Sequence, residues 1–370
     1  MREGKISRTV WNRYIRKQLH REREEVLGTP SWTEDCSAIS GERADTFMWT
    51  EASASGTGGQ IGYYAAMKAA GDLAAHGARP AGISVNFLLP PDIPEELTGE
   101  LTAGVEEACA NADMQISRVT GEVSRAVACP IVSVTAAGFM ETKAASAVSP
   151  GVRNDALAVK GSAAAAQSVC HSAQMRENRI RPGQEILLCG YAGLEGTLRV
   201  LDEARKELSE RFVPAFLRKA ADLKQDIVPP GILLEACAEA GWNHISAIRQ
   251  IGSGGIFGAL WEMAEAADVG LDLDLRAISL KQETVEICEF FRINPYLLTS
   301  AGSFLIATDH AGRVIEVLEK AGARAGRLGV ATAQKARVIT SGEEIRYMDR
   351  PAADELLRWQ DERITGGREN

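Results

Sequence analysis

Gly254-Gly255-Ile256-Phe257-Gly258-Ala259-Leu260-Trp261-Glu262-Met263-Ala264-Glu265-Ala266 reads as a glycine turn that feeds straight into a helix. Glycines let the backbone turn tightly and leave the first helical amides uncovered. Such amides, with the helix dipole behind them, favour an anion such as phosphate. The preceding Arg249-Gln250-Ile251-Gly252-Ser253 supplies no carboxylate. The stretch therefore offers amides to a phosphate but no ligand to the magnesium that travels with it. Gly252-Ser253-Gly254-Gly255 lacks the Gly-Lys-Ser/Thr ending of a Walker loop, and no dinucleotide fingerprint follows a strand elsewhere.

The chain around this turn alternates strands and helices. Apolar spacing predicts an opening helix over 7–26, with Trp11 and Tyr14 as core or interface anchors. A strand over 46–50 leads to a small-residue loop, Ala52-Ser53-Ala54-Ser55-Gly56-Thr57-Gly58-Gly59. An alanine-rich helix over 61–76 follows, stopped by Gly77-Ala78-Arg79-Pro80. Strands are predicted over 83–89 and 131–138, with a helix over 94–112 between them. Residues 143–181 turn alanine- and serine-rich and read as a linker or an added helix over 163–174. Pro182-Gly183-Gln184 then introduces a strand over 185–189 and a second domain. Helices over 200–211, 214–224 and 231–240 and late strands over 303–308 and 324–328 complete it. This alternation predicts α/β or α+β layers rather than a bundle. The expected divisions are 1–150, a linker or insert at 151–181, 182–355, and a tail at 356–370.

Composition narrows the function classes. The 370 residues suffice for two domains, and 45% hydrophobic with 25% charged content is ordinary for a globular protein. A net charge of -9 argues against a general nucleic-acid binder, which needs a basic surface. Lys5, Arg8, Arg13, Arg16, Lys17, Arg21 and Arg23 form a local exception, and Glu22, Glu24 and Glu25 offset it, as in one charged helix. The seven cysteines show no Cys-x-x-Cys spacing, so no zinc or redox motif is signalled, and a reducing cytoplasm is expected. The charged N-terminus is no signal peptide, and no apolar run is long enough to span a bilayer.

The order of motifs resembles the AIR-synthase-related (PurM-like) superfamily, in particular its HypE-like, hydrogenase maturation factor branch. The pieces that carry the resemblance are Glu34-Asp35-Cys36-Ser37-Ala38, Gly58-Gly59-Gln60-Ile61-Gly62, Gly71-Asp72-Leu73-Ala74-Ala75-His76-Gly77-Ala78-Arg79-Pro80 and Val119-Thr120-Gly121-Glu122-Val123. Ala192-Gly193-Leu194-Glu195-Gly196-Thr197, the 254–262 turn and helix, and Ser300-Ala301-Gly302-Ser303-Phe304-Leu305-Ile306-Ala307-Thr308 continue the series. The resemblance implies a PurM-like two-domain fold: an N-terminal sheet domain that dimerises into a barrel, and a C-terminal α/β domain. It also implies an ATP site beside that interface, with aspartates holding magnesium on the triphosphate for phosphoryl transfer to a small substrate.

Carried over residue by residue, the resemblance implies Asp35, Asp72, Glu51 and Glu122 as magnesium acids. Gly254, Gly255 and Gly121 become the backbone contacts to nucleotide. Lys68 stands in for an absent phosphate lysine, because Tyr63 occupies that lysine's place. Gly71 replaces an asparagine, Gln250 an aspartate, and Arg118-Val119 a glycine pair. His76, four residues after Asp72, suggests proton transfer or an ordinary helix-end histidine, and Arg249 a phosphate contact or a surface arginine. The ending Gly366-Gly367-Arg368-Glu369-Asn370 has no cysteine of the kind on which HypE carries its carbamoyl group. No catalytic residue is assigned. Two readings stand side by side: an ATP- and magnesium-dependent cytoplasmic enzyme, or a dimeric pseudoenzyme that serves as a binding or maturation partner.

Overall fold

A computed structural model describes residues 8–10, 12, 26–27, 37–40, 46–140, 178–350 and 352–366. Asp35, Trp11, Tyr14 and most of the predicted opening helix lie outside the described residues, as does the alanine-rich segment up to 177. One turn of that helix, α1 (Arg8–Val10), is described.

The first half is built from β1 (Val26–Leu27), β2 (Ser37–Ser40), β3 (Thr46–Ser55), α2 (Ile61–Ala75), β4 (Arg79–Leu89), α3 (Glu96–Ala112), β5 (Gln115–Val123) and β6 (Ile131–Met140). Its strands form one sheet in the order β1-β2-β3-β6-β4-β5. All neighbours are antiparallel except β4 and β5, which α3 links as a parallel pair. Strand β3 runs further than the sequence suggests. Ala52, Ser53, Ala54 and Ser55, read as loop, pair with Val134, Ser133, Val132 and Ile131. Their small side chains look like turn residues, but cross-strand pairing outweighs local propensity here.

The second half contains β7 (Glu185–Cys189), α4 (Leu194–Glu203), α5 (Arg205–Arg211), α6 (Pro214–Ala221), α7 (Pro230–Ala240), β8 (Ile245–Ile251), α8 (Gly255–Ala267), β9 (Gly270–Asp274), α9 (Gln282–Phe291), β10 (Ser300–Thr308), α10 (Ala311–Lys320), β11 (Ala325–Thr332), β12 (Arg337–Ser341) and β13 (Glu344–Tyr347). Its sheet has the order β13-β12-β9-β11-β7-β10-β8. The segment 356–370, read as a tail, supplies a helix, α11 (Glu355–Gly366). Trp359 of α11 is buried in a cluster with Leu201, Leu208 and Ile287, and its ring meets Phe291 edge-on.

The two halves share one helix. Nearly every α2 side chain is buried, which marks a core helix rather than a surface one. It covers β3 and β6 on one side and meets β8, β10 and α7 on the other. Alanines at 65, 66, 69, 70, 74 and 75 keep α2 thin enough for both sheets to close on it. Gly62 brings α3 equally close: a Cβ there would fall 2.2 Å from the Leu101 carbonyl oxygen.

Gly62→Ala is therefore expected to destabilise the fold by about 1–3 kcal/mol, the usual cost of overpacking. Thermal denaturation of the variant against the parent measures it, and an unchanged midpoint would contradict the α2–α3 contact.

Candidate functional site at the domain junction

Helix α2, the β8–α8 turn and the start of α4 meet between the sheets, and four of the predicted residues lie there. Lys68 and Asp72 share a face of α2, one turn apart. Gly254 and Gly255 open α8. Gly254 is left-handed at φ +85 and Gly255 at φ +63. A side chain at 255 would strike the Tyr296 carbonyl oxygen at 2.4 Å, so the backbone itself requires glycine there.

Each side of this junction is engaged by another part of the chain. Lys68 Nζ donates to the Ser53 carbonyl at 2.9 Å and pairs with Glu195 Oε1 at 3.2 Å. Glu195 is fully buried, and Arg199 one turn later binds the same oxygen at 3.2 Å. Thr299 Oγ1 donates to Glu195 Oε2 at 2.8 Å, and the Ala301 amide at 3.3 Å. Burial pushes the Glu195 carboxyl up, but Lys68, Arg199 and Thr299 outweigh it and hold it below the ordinary carboxylate range. Arg199 also donates through Nη2 to the Ser55 carbonyl.

Gln250 stands where the resemblance places an aspartate. Its Nε2 donates to Asp72 Oδ1 and to the Lys68 carbonyl, both at 2.7 Å. Its Oε1 accepts the Gly302 amide at 3.0 Å. The missing side chain at Gly71 is the counterpart of this amide, because a Cβ there would fall 2.3 Å from Gln250 Oε1. The two departures from the family pattern are thus one steric arrangement.

The α8 mouth is also occupied. The Gly254 amide donates to Asp354 Oδ2 at 2.9 Å, and the other Asp354 oxygen accepts the Leu356 amide at 2.9 Å. One carboxylate from just before α11 therefore caps two helices. Burial pushes the Asp354 carboxyl up to about 6, against the pull of the Leu356 and Gly254 amides. Helix α11 is fastened nearby: Gln360 Nε2 donates to Glu203 Oε1 at 2.7 Å and to the Ser55 carbonyl at 3.2 Å.

The other predicted residues lie elsewhere. Glu51 pairs with Thr135, and Glu122 with Leu88. Both register positions fall between buried ones, so these acids face away from α2, on the outer face of the first sheet. Gly121 sits on the edge strand β5 beside Phe87. Among the described residues, no group of three or more His, Cys, Asp and Glu is placed to hold a metal ion. His76 Nδ1 lies 2.9 Å from the Asp72 carbonyl oxygen, so this contact is with the backbone rather than the carboxylate. Arg249 is buried and ion-paired with Glu262. Tyr63 is buried, receives Asn111 Nδ2 at 3.3 Å and carries Lys224 over its ring.

Sequence and structure comparisons agree with this architecture. Residues 40–140 match the AIR synthase related protein N-terminal domain, and 181–341 the C-terminal domain of the same family. A putative hydrogenase expression/formation protein of Methanocaldococcus jannaschii is 24% identical over 306 residues, 81% of this chain and 79% of the relative. Among solved structures, hydrogenase maturation protein HypE in complex with ATP superposes with TM-score 0.64 at 18% identity, over 86% of this chain and 89% of that one. The HypE-HypF complex superposes with TM-score 0.63 at 19% identity, over 85% and 93%.

The Asp354 carboxyl titrates near 6 in the fold and near 3.8 outside it. Its contribution is full below the lower value and is lost as pH rises through the higher one. The parent should therefore lose up to about 3 kcal/mol between pH 4 and 6 relative to Asp354→Asn. Denaturant unfolding of both proteins across that window measures the difference, and parallel pH profiles would remove the assignment.

Proposed function

The chain belongs to the AIR synthase related family, and we propose that it is a hydrogenase-maturation-type member that acts by binding a partner rather than by magnesium-ATP chemistry. The observation that carries this reading is the Gln250 amide. A family aspartate there would add a second carboxylate beside Asp72 and invite a divalent cation. The amide instead donates to Asp72 and joins α2 to β10. The donor set of the junction does not fit magnesium, and Lys68, the cation meant for phosphate, is neutralised by Glu195.

The partner surface we infer is the outer face of the first sheet. No helix among the described residues packs there, and Phe47 and Phe139 are exposed on it, with Phe47 stacked on Trp49. A second copy of the chain laid sheet to sheet would bury these rings and the paired Glu51 and Glu122 faces. Homodimerisation is thus part of the proposal, as is a cytoplasmic location. No described helix is long and apolar enough to cross a membrane.

A second reading keeps ATP and magnesium. It is favoured by the gathering of Lys68, Asp72 and the 254–255 turn at one junction, and by the ATP held by a similarly folded HypE. On that reading Asp72 supplies the metal acid at the junction, because Glu51 and Glu122 face outward from the first sheet and Gly121 lies on its edge strand.

Mg-ATP separates the two. Binding at a hundred times the dissociation constant would add about 2.7 kcal/mol of stability. The parent is expected to show neither that shift nor ATP hydrolysis in a thermal melt and a phosphate-release assay. A shift that Asp72→Ala abolishes would overturn the proposal. Gln250→Asp is expected to cost about 2–4 kcal/mol, through lost hydrogen bonds and carboxylate repulsion, and millimolar magnesium should restore part of it. For the surface, Phe47→Asp with Phe139→Asp should shift the protein to monomer in sedimentation velocity, and an unchanged sedimentation coefficient would exclude that face.

A further inference from the structure

A cavity of about 840 Å³ opens on the other side of α4, between α2, α5 and α6. That size is typical of small-molecule sites. None of Lys68, Asp72, Gln250 and Gly254 lines it, so it is a site separate from the junction and independent of the chemistry there. One wall is apolar, formed by Tyr64, Leu198, Leu201 and Leu217.

Its charge is unlike that of the rest of the molecule. The chain carries -9, yet Arg205, Lys206, Arg218 and Lys224 surround this opening. Lys224 is engaged, with Glu107 Oε2 at 2.6 Å and Gln60 Oε1 at 2.8 Å. Arg205, Lys206 and Arg218 form no ion pair among the described residues. Low-dielectric walls under a cluster of one sign concentrate the field and attract counter-ions.

One acid sits among these cations. Asp202 lines the cavity, and its Oδ2 is buried against Gly58 with no hydrogen-bond partner among the described residues. A buried acceptor left unmade costs about 1–3 kcal/mol. That oxygen is closed off against Gly58, so the cations and the apolar wall are the groups a ligand in the cavity would meet.

We propose that this cavity binds a small anionic molecule with a flat apolar body. The body lies against Leu198, Leu201 and Tyr64, and the anionic group meets Arg205, Lys206 and Arg218.

The probe 8-anilinonaphthalene-1-sulfonate has both parts: fused rings and one sulfonate. Fluorescence titration of the full chain is expected to show saturable binding at one site. Arg205→Glu with Arg218→Glu should weaken it at least tenfold. Ser209→Trp, which narrows the mouth from an exposed position, should do the same. Arg276→Glu with Lys335→Glu, on exposed residues elsewhere, should leave it unchanged. Thermal melts of every variant report folding. Absence of saturable binding to the parent would overturn the proposal, as would equal affinity across all variants, which is the result expected if the probe sits on the open sheet face instead.

Discussion

The Glu195 carboxylate holds the two halves of this protein in one register. It is fully buried, and its partners come from three elements: Lys68 from α2, Arg199 from α4, and Thr299 and Ala301 from just before and inside β10. The two cations reach on to the carbonyls of Ser53 and Ser55 at the end of β3. Breaking such a pair by removing one partner leaves an uncompensated charge, at about 3–5 kcal/mol. Any shift of one sheet against the other would do the same. The ion network thus fixes geometry, and α2 supplies the apolar burial that holds the sheets together around it.

That geometry explains why the junction resembles a phosphate site and yet is filled. Lys68 and Asp72 lie against Gln250, four residues before the 254–255 turn, and these are the groups the sequence offers as a nucleotide cradle. The positions around them carry Glu195, Gln250 and Asp354, whose groups satisfy the cradle from within. Gln250 is the most telling, because its amide needs the empty space over Gly71. Two substitutions that look independent along the chain are one packing solution in space.

Much of the architecture is legible in the sequence. The strands at 83–89, 131–138 and 185–189 are short apolar runs between breakers, and each is present, the first two extended at their ends. Strands β8, β9, β12 and β13 are not legible in the same way. Charged or polar residues interrupt each of them, and their pairing is decided by distant neighbours rather than by local pattern. At the junction, Lys68, Asp72 and the glycine turn are legible from spacing and motif order, but their partners are not. Glu195 gives one signal, a charge between a glycine two residues before it and another directly after it in an apolar stretch. Asp354 gives another, as an acid just ahead of Glu355-Leu356-Leu357, the pattern of a helix start. The outward orientation of Glu51 and Glu122 follows from strand alternation once the register is known.

Helix α11 comes after both sheets in the chain, yet Asp354 and Gln360 contact the α8 mouth, the end of β3 and the end of α4. During synthesis, chains fold from the N-terminus onward. Both sheets can therefore assemble on the ribosome while the Gly254 amide and the Ser55 carbonyl are still open to water or to a chaperone. Closure of the junction is a late event relative to the two sheets, timed by translation of α11.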